Sequence, residues 1–315
     1  MSNPQINILV PLYNEEDVFN CLIERLNKII NLSDYSIEVI LVDDGSNDKT
    51  GEMMKNISLK NNHYHSIFLS RNFGHQTAIT AGMKYVNATE AVMIIDADLQ
   101  DPPEMLNDFY KLYKSGYDIV YAVRKKRKEI WYKKFSYKLF YLLMEKISNI
   151  NIPVDSGDFS LISRRAVDYL NQMPEESRYL RGMRSWIGFK QIGVNVERDE
   201  RKAGNPKYSF FKLIKLASNG VFNFSEFPIK FVLGLGFIAL ILSIVYLGYA
   251  IIQKIFYNAS PQGFTALLFT VVLFGGINLI SLGLIGGYVL RIFFQVKNRP
   301  LFIVKNRIHN KTIIK

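Results

Sequence analysis

Short apolar runs alternate with amphipathic segments through the N-terminal part of the chain. The apolar runs predict five strands, at Ile6–Pro11, Val39–Asp43, Ser66–Ser70, Ala91–Asp96 and Asp118–Val123. The amphipathic segments between them predict helices, at about residues 15–30, 48–60, 76–86 and 103–115. Strands that alternate with helices in this way are typical of an α/β fold with a mostly parallel sheet.

Two much longer apolar stretches follow near the C-terminus. Residues 231–252 carry no charge, and neither do residues 255–290, where Pro261 and Gly263 mark a turn. About 20 apolar residues cross the hydrocarbon core of a bilayer, so we predict two transmembrane helices, at about 231–252 and 264–290. A pair of buried core helices is the alternative, but globular helices rarely run this long without a charge.

The placement of Lys and Arg predicts the orientation of this hairpin. Seven basic residues and no acidic one follow Leu290, whereas the connector between the two stretches carries only Lys254. No signal-peptide pattern precedes Pro11. By the positive-inside rule we expect a multi-pass protein of the cell (inner) membrane, with its large domain and both termini in the cytoplasm. The predicted division is a domain over residues 1–227, the hairpin over 228–294 and a basic tail over 295–315.

Composition narrows the class of protein further. The 315 residues are 49% hydrophobic and 21% charged, which excludes a disordered chain, and the single cysteine excludes a disulfide scaffold. The net charge is +11. Because the basic excess clusters beside the predicted membrane segments, we expect a lipid bilayer, and no nucleic acid, as the partner. We predict helices at the membrane surface for residues 124–138 and 209–227, with core-facing helices as the alternative.

Acidic residues follow three of the predicted strands. The first strand leads to Glu15 and Glu16, the second ends in Asp43 and Asp44, and the fourth in the stretch from Asp96 to Glu104. Ligands bind at the carboxyl ends of the strands in such sheets. An Asp-x-Asp pair beside an amide oxygen suits Mg²⁺ or Mn²⁺, and a metal there would bridge a diphosphate. A single acidic strand end is as readily a helix cap, as for Asp48.

Nucleotide motifs of other classes are missing from the sequence. No G-x-G-x-x-G follows the first strand, which disfavours a nicotinamide or flavin enzyme. The segment GSNDKT is too short for a P-loop and lacks its second glycine.

Four motifs in order carry a family resemblance: VPLYNEE, VDDGSNDKT, LSRNFGHQTA and DADLQDPPE. Together they resemble family 2 glycosyltransferases with a GT-A fold, and more narrowly polyprenyl-phosphate glycosyltransferases such as bactoprenol glucosyltransferases and dolichol-phosphate mannose synthases. The segments DSGDFSLISRRAVD, RYLRGMRSWIGF and RKAGNPKYS extend the resemblance over nearly the whole chain. It implies a Rossmann-like GT-A domain followed by the transmembrane hairpin.

The resemblance also implies roles for individual residues. A nucleoside would be held at Pro11, Tyr13, Glu15 and Asp43, the ribose or diphosphate at Asp96 and Ala97, and phosphate groups at Arg124, Arg198, Arg201, Lys202 and Lys207. The metal, Mg²⁺ or Mn²⁺, would be bound by Asp98 and Gln100. Asp158 takes the position of the catalytic carboxylate, with Asp155 as the second choice. Pro206 replaces the serine common among relatives, which changes the geometry of the phosphate-binding segment.

These observations favour one reaction: inverting transfer of a hexose from a UDP-sugar to undecaprenyl phosphate. Glucose is the default sugar, while N-acetylglucosamine, galactose and a modified arabinose stay open. The alternatives are a transferase for another lipid or glycan acceptor, a processive polysaccharide synthase, which would need a Q-x-x-R-W segment that this chain lacks, and an inactive membrane scaffold. Paired glycines in the second apolar stretch favour close helix contacts, which are compatible with a homo-oligomer.

Overall fold

The computed structural model describes residues 3–124, 156–176, 178–196, 227–257 and 263–314. These residues belong to two compact units. The first contains the described residues up to 196 together with 300–314, and the second contains the two long apolar helices. The predicted interfacial segments and the predicted phosphate-binding segment lie wholly or almost wholly outside the described residues.

A mixed sheet of nine strands organises the first unit, as far as the structure describes it. The strands are β1 (Ile6–Leu12), β2 (Ile37–Asp43), β3 (Tyr64–Leu69), β4 (Ala91–Ile94), β5 (Ile119–Arg124), β6 (Ser156–Ser163), β7 (Gln191–Val196), β8 (Val304–His309) and β9 (Thr312–Ile314). Their order across the sheet is β7-β5-β6-β4-β1-β2-β3-β8-β9. Strands β4, β1, β2 and β3 are parallel, whereas β6 runs antiparallel to β4 and β5, and β8 runs antiparallel to β3.

Helices connect the parallel strands and cover both faces of the sheet. They are α1 (Glu16–Leu32), α2 (Thr50–Lys60), α3 (His75–Lys84), α4 (Leu106–Lys114, after a 3₁₀ turn at Pro103–Met105), α5 (Arg164–Gln172) and α6 (Leu180–Trp186). Every residue of β1 is buried, as expected for a central parallel strand between two helical layers. Residues Ile6, Ile8, Val10 and Leu12 pack with α1, while Leu9 faces α3 at Gly82. The predicted α/β class with a mostly parallel sheet is confirmed.

Two long helices make up the described part of the second unit, α7 (Phe227–Tyr257) and α8 (Phe264–Lys297). Within them, residues Phe231–Tyr257 and Leu273–Lys297 are long and apolar enough to cross a membrane by length and composition. Almost none of these windows is buried inside the protein, which disfavours the alternative of a pair of core helices. The predicted pair of apolar C-terminal helices is confirmed.

The segment after α8 has secondary structure that the sequence analysis did not predict. Within the predicted basic tail, α8 continues to Lys297, and β8 and β9 then add two strands beside β3. Only Ile308 of β8 is fully buried, so the strand shows little of the alternation that identifies a half-buried strand. Residues 304–314 therefore form one edge of the nine-stranded sheet.

Candidate active site

The loops after β1 and β2 are tied together at the carboxyl end of the sheet. The backbone N–H of Asn14 donates to Ser46 Oγ at 3.0 Å, and that of Glu15 donates to Thr50 Oγ1 at 2.9 Å. Asp48 accepts from the backbone N–H groups of Glu16 and Thr50, at 3.2 and 3.0 Å. Asp48 therefore has a structural role in fixing the two loops, close to the capping alternative considered from the sequence.

A cleft of about 720 Å³ opens beside these loops. Tyr13 and Asp43, two of the predicted nucleoside-binding residues, both line it, whereas Pro11 is buried in β1. Asp43 Oδ1 accepts from the backbone N–H of Ser46 at 2.9 Å. Burial raises the pKa of Asp43, and the Ser46 hydrogen bonds and the charge of Lys305 oppose that shift. The cleft thus combines an aromatic ring with a carboxylate acceptor.

Asp44 accepts hydrogen bonds from a different loop than its neighbour Asp43 does. Its carboxylate accepts from the backbone N–H groups of Phe73 and Gly74, at 2.7 and 2.9 Å. Gly74 has a φ of 99°, which residues with a side chain rarely adopt, and α3 begins at the next residue, His75. Burial raises the pKa of Asp44, although these hydrogen bonds oppose the shift. Asp44 therefore fixes where α3 starts and where His75 lies.

His75 lies between two of the predicted site carboxylates. Its Nε2 is 3.4 Å from Asp96 Oδ1 and 3.6 Å from Asp158 Oδ2. Burial by itself would lower the pKa of His75, but the nearby carboxylates of Asp158 and Asp96 raise it to about 9. His75 is therefore an imidazolium at neutral pH. Burial raises the pKa of Asp96, and nearby carboxylates add to that shift while His75 opposes it.

Asp158, on β6, is the most heavily engaged carboxylate of the site. It is 7% exposed and accepts from Arg181 Nε at 3.0 Å, from Arg181 Nη2 at 3.2 Å and from Gln76 Nε2 at 2.9 Å. Burial would raise its pKa, but Arg181 and His75 outweigh burial and hold the pKa well below its usual range. This environment favours the ionised form of Asp158 and suits an anchor for positive charge better than a general base.

A second arginine supports the strand that carries Asp158. Arg184, on α6, is 4% exposed and donates to Ser160 Oγ at 2.8 Å and to the carbonyl of Gly157 at 3.0 Å. Burial lowers the pKa of Arg184 to about 10, so it still carries its charge at neutral pH. The two arginines of α6 consequently fix both the backbone of β6 and the side chain of Asp158.

The loop after β4 carries the predicted metal ligands. Between Asp98 and Gln100, Leu99 adopts a left-handed φ of 59°, and the backbone N–H of Gln100 donates to Asp98 Oδ1 at 3.2 Å. An ion pair between Arg25 and Glu104, 2.6 Å long, holds the far end of the loop. Ala97 is buried. Left-handed backbone at a buried leucine is uncommon and costs free energy, and such strain clusters at functional sites.

The donor set of this loop has the chemistry of a hard cation site that is completed by substrate. No group of three or more His, Cys, Asp or Glu side chains placed to hold a metal occurs among the described residues. One carboxylate and one amide carbonyl, from Asp98 and Gln100, are nevertheless enough for Mg²⁺ or Mn²⁺ when phosphate oxygens and water supply the other ligands. The residues therefore fit a metal that binds together with a diphosphate.

Several residues of the site were not predicted, and several predicted ones cannot be placed. His75, Gln76 and Arg181 surround Asp158, yet in the sequence they stand out only as parts of the segments that carry the family resemblance. The backbone of Arg124 ends β5. Asp155, Arg198, Arg201, Lys202 and Lys207 lie outside the described residues, so their roles remain predictions.

Comparison with known proteins shows which family the chain matches and which proteins it resembles. Residues 7–170 match the model of glycosyl transferase family 2. An uncharacterized glycosyltransferase of Bacillus subtilis, YkcC, is 40% identical over 312 residues, which cover 98% of this chain and 96% of that protein. The bactoprenol glucosyl transferase of Shigella phage SfII is 32% identical over 302 residues, covering 96% and 97% of the two chains. Among solved structures, S. aureus TarS 1–349 in complex with UDP-GlcNAc is 16% identical, covering 70% of this chain and 67% of that one, with a TM-score of 0.45.

Proposed function

The chain belongs to glycosyl transferase family 2, and from this premise we propose that it transfers a hexose, with glucose as the default, from a UDP-sugar to polyprenyl phosphate with inversion. That it is a glycosyltransferase with a GT-A fold follows from the family and the sheet. The acceptor and the sugar are supported by relatives named bactoprenol glucosyl transferase. The observation that carries the proposal is the cationic pair His75 and Arg181 beside Asp96 and Asp158, because two anionic substrates have to meet at this point.

On the donor side, the nucleoside occupies the cleft that Tyr13 and Asp43 line, and the diphosphate extends toward the loop after β4. Asp98 and Gln100 hold Mg²⁺ or Mn²⁺ in this proposal. When bound, the metal neutralises charge on the diphosphate leaving group. Leu99 sets the turn that separates the two ligands, and Arg25 and Glu104 keep the loop in place before substrate binds.

The acceptor side explains why Asp158 need not be a base. A phosphate monoester has a second pKa of about 6, so it is mostly dianionic at neutral pH and attacks without losing a proton. The pKa of Asp158 is held well below its usual range, which suits an anchor rather than a proton acceptor. Asp158 keeps the guanidinium of Arg181 in a fixed orientation, and Arg181 and the imidazolium of His75 offset the charge of the incoming phosphate.

The position of β8 supports a proposal for the membrane arrangement. After the first unit, called the catalytic unit below, the chain continues into α7 and α8. It then returns to the first unit, where β8 pairs with β3. An even number of crossings satisfies this connection, and two helices are long enough to cross. We therefore propose a hairpin through the cell membrane with the catalytic unit in the cytoplasm, where nucleotide sugars are made.

The experiment uses the purified full chain in detergent with undecaprenyl phosphate and either Mg²⁺ or Mn²⁺. A panel of UDP-sugars and GDP-mannose is supplied, and nucleotide release and the mass of the lipid product are measured. Turnover of one UDP-sugar that depends on lipid phosphate supports the proposal. Turnover with a diacylglycerol or a soluble glycan, and none with lipid phosphate, would overturn the acceptor assignment.

A further inference from the structure

The strand that follows the apolar helices forms part of the wall of the cleft. Lys305, Asn306 and Ile308 of β8, and Ile313 of β9, line the same cleft as Tyr13 and Asp43. These residues lie more than 200 positions after the four ordered motifs, the last of which ends at Glu104, and beyond the matched range 7–170. The cleft that the proposed function assigns to the nucleoside is therefore built from two distant parts of the sequence.

Strand register places Asn306 on the same face of the sheet as Asp43. Asp43 of β2 lies opposite Phe68 of β3, and Phe68 lies opposite Asn306 of β8. Residues directly opposite one another on neighbouring strands direct their side chains to the same face. With strands about 4.8 Å apart, Asp43 and Asn306 are separated by about 10 Å along this row, with Phe68 between them, and all three residues line the cleft.

An irregularity in β8 brings a second side chain to the cleft. Val304 pairs with Leu69 and Asn306 pairs with Phe68, so β8 advances by two residues where β3 advances by one. Lys305 is the extra residue of this β-bulge. Bulges redirect side chains and are frequent beside active sites, and here the bulge allows Lys305 and Asn306, which are adjacent, to line the same cleft.

The side-chain amide of Asn306 has an oxygen that accepts no hydrogen bond from the described residues. Its Oδ1 atom is buried and has no hydrogen-bond partner among the described residues. A buried polar atom left without a partner costs free energy, so native proteins rarely keep one unless a ligand or water completes it. Whichever way the amide is turned, it presents one acceptor and one donor side by side.

We propose that Asn306 recognises the base of the donor nucleotide, and that β8 with its bulge completes the nucleoside pocket. The imide edge of uracil carries an N–H beside a carbonyl, which is complementary to the donor and acceptor of the Asn306 amide. Asp43, on the other side of the row, supplies an acceptor only. Lys305 is exposed and adds a positive charge to a cleft that must bind an anionic ligand. This inference rests on the proposed function, since it assumes a nucleotide donor.

The test compares UDP binding by the full chain in detergent with that of Asn306→Leu and Asn306→Asp, by calorimetry in the presence of Mn²⁺. We expect Asn306→Leu to bind UDP about tenfold more weakly, the effect of losing one or two neutral hydrogen bonds. Asn306→Asp keeps the shape of the side chain, so it is the variant to use if the leucine lowers the melting temperature. It replaces the amide donor with an anionic acceptor, which also weakens UDP binding.

Two comparisons separate base recognition from a general defect. Arg307 is the neighbour of Asn306 but stacks on Tyr85, with its guanidinium 5.0 Å from the ring centroid, so Arg307→Gln is the matched control and should bind UDP normally. Inorganic pyrophosphate, which has no base, should compete for the site equally well in the wild type and in Asn306→Leu.

The outcomes are distinguishable from a failure of the proposed function. If the wild type and both Asn306 variants bind UDP equally, or if pyrophosphate and UDP weaken by the same factor, the role of Asn306 is overturned while the proposed reaction stands. If the wild type binds no nucleotide at all, the proposed function is overturned, and this inference with it.

Discussion

Asp158 and Arg181 form a two-pronged ion pair, with the guanidinium Nε and Nη2 donating to the two carboxylate oxygens at 3.0 and 3.2 Å. Such a pair fixes orientation as well as charge, because two parallel hydrogen bonds leave the planar groups little freedom to rotate. Asp158 is buried, so removal of Arg181 would leave a desolvated charge on the carboxylate. This relationship supports the proposal that Asp158 is a positioning residue for a cation.

Asp158→Asn should reduce kcat far more than it weakens nucleotide binding. The amide keeps the size of the side chain but withdraws the counter-charge from Arg181 and His75. We expect kcat to fall by about 10²–10³, the usual effect of losing one preorganised electrostatic group. Steady-state kinetics with a UDP-sugar and lipid phosphate, alongside calorimetric binding of UDP, measures the two quantities separately.

Arg181→Gln provides the partner for a double-mutant cycle with Asp158→Asn. If the two residues act as one unit, the double variant should be no slower than the slower single variant, because contacting residues are not additive. Independent, multiplying losses would contradict the positioning role of Asp158. Melting temperatures of all three variants show whether lost activity reflects unfolding.

Asp98→Ala should abolish turnover and remove the dependence of UDP affinity on Mg²⁺ or Mn²⁺. Asp98 supplies the one carboxylate of the proposed two-residue ligand set, and Gln100 alone offers only a neutral carbonyl. Binding of UDP with and without metal measures the effect. Asp108→Asn is a suitable control, because Asp108 is an exposed residue of α4 that pairs with Lys111 on the surface. Near-normal activity of Asp98→Ala would remove the basis for the metal site.

His75 should make stability depend on pH in a defined window. Its pKa is raised from 6.5 in the ordinary group to about 9 in the folded protein, against burial and through Asp158 and Asp96. A raised pKa stabilises the fold fully below about pH 6.5, and this stabilisation is lost as the pH rises through about 9.

The charged groups that shift the pKa of His75 include Asp96, Asp158 and Arg181, and the charge of His75 in turn lowers the pKa of Asp44. Thermal unfolding at a series of pH values, without metal or nucleotide, should show the wild type losing stability across this window and His75→Gln losing much less. Parallel curves for the two proteins would show that His75 is not an imidazolium in the fold.

Gly82→Ala should destabilise the catalytic unit although alanine favours helices. A Cβ at position 82 would lie 2.0 Å from Leu9 Cδ1 and 3.0 Å from Val42 Cγ2, and both neighbours are fully buried in the sheet. We expect a loss of about 1–3 kcal/mol in the free energy of unfolding, typical of an overpacked core. Denaturant unfolding gives the value, with Lys84→Ala on the exposed side of the same helix as the reference. An unchanged or increased stability would mean that α3 shifts at little cost.

The sequence was most informative where the chain is periodic and local. The five predicted strands all occur and agree with the observed bounds within about two residues, because buried parallel strands are short apolar runs between amphipathic helices. The two apolar helices are equally evident, since their length is set by composition alone. Tyr13 and Asp43 line one cleft because they lie at the carboxyl ends of neighbouring strands, while their role in binding a nucleoside stays a prediction.

Contacts between distant segments were not predictable from such patterns. His75 and Arg181 meet at Asp158, where Asp44 fixes the start of α3 and Arg184 fixes the backbone of β6. These contacts join distant residues and leave no periodic pattern in the sequence. The strand β8 was missed because it lies at an edge, buries only Ile308 completely and is rich in basic residues, like a solvated tail. Its partner, β3, is more than 230 residues away in the chain.

Strand β8 also imposes an order on biogenesis. Domains form from the N-terminus as the chain emerges from the ribosome, but the wall of the cleft that contains Asn306 is translated only after α7 and α8. A nascent chain that has not yet released its apolar helices still presents β3 as an open edge, which attracts unwanted strand pairing. The cleft is therefore complete only once the two apolar helices have been made, so that in the proposed function their synthesis precedes competence to bind the donor.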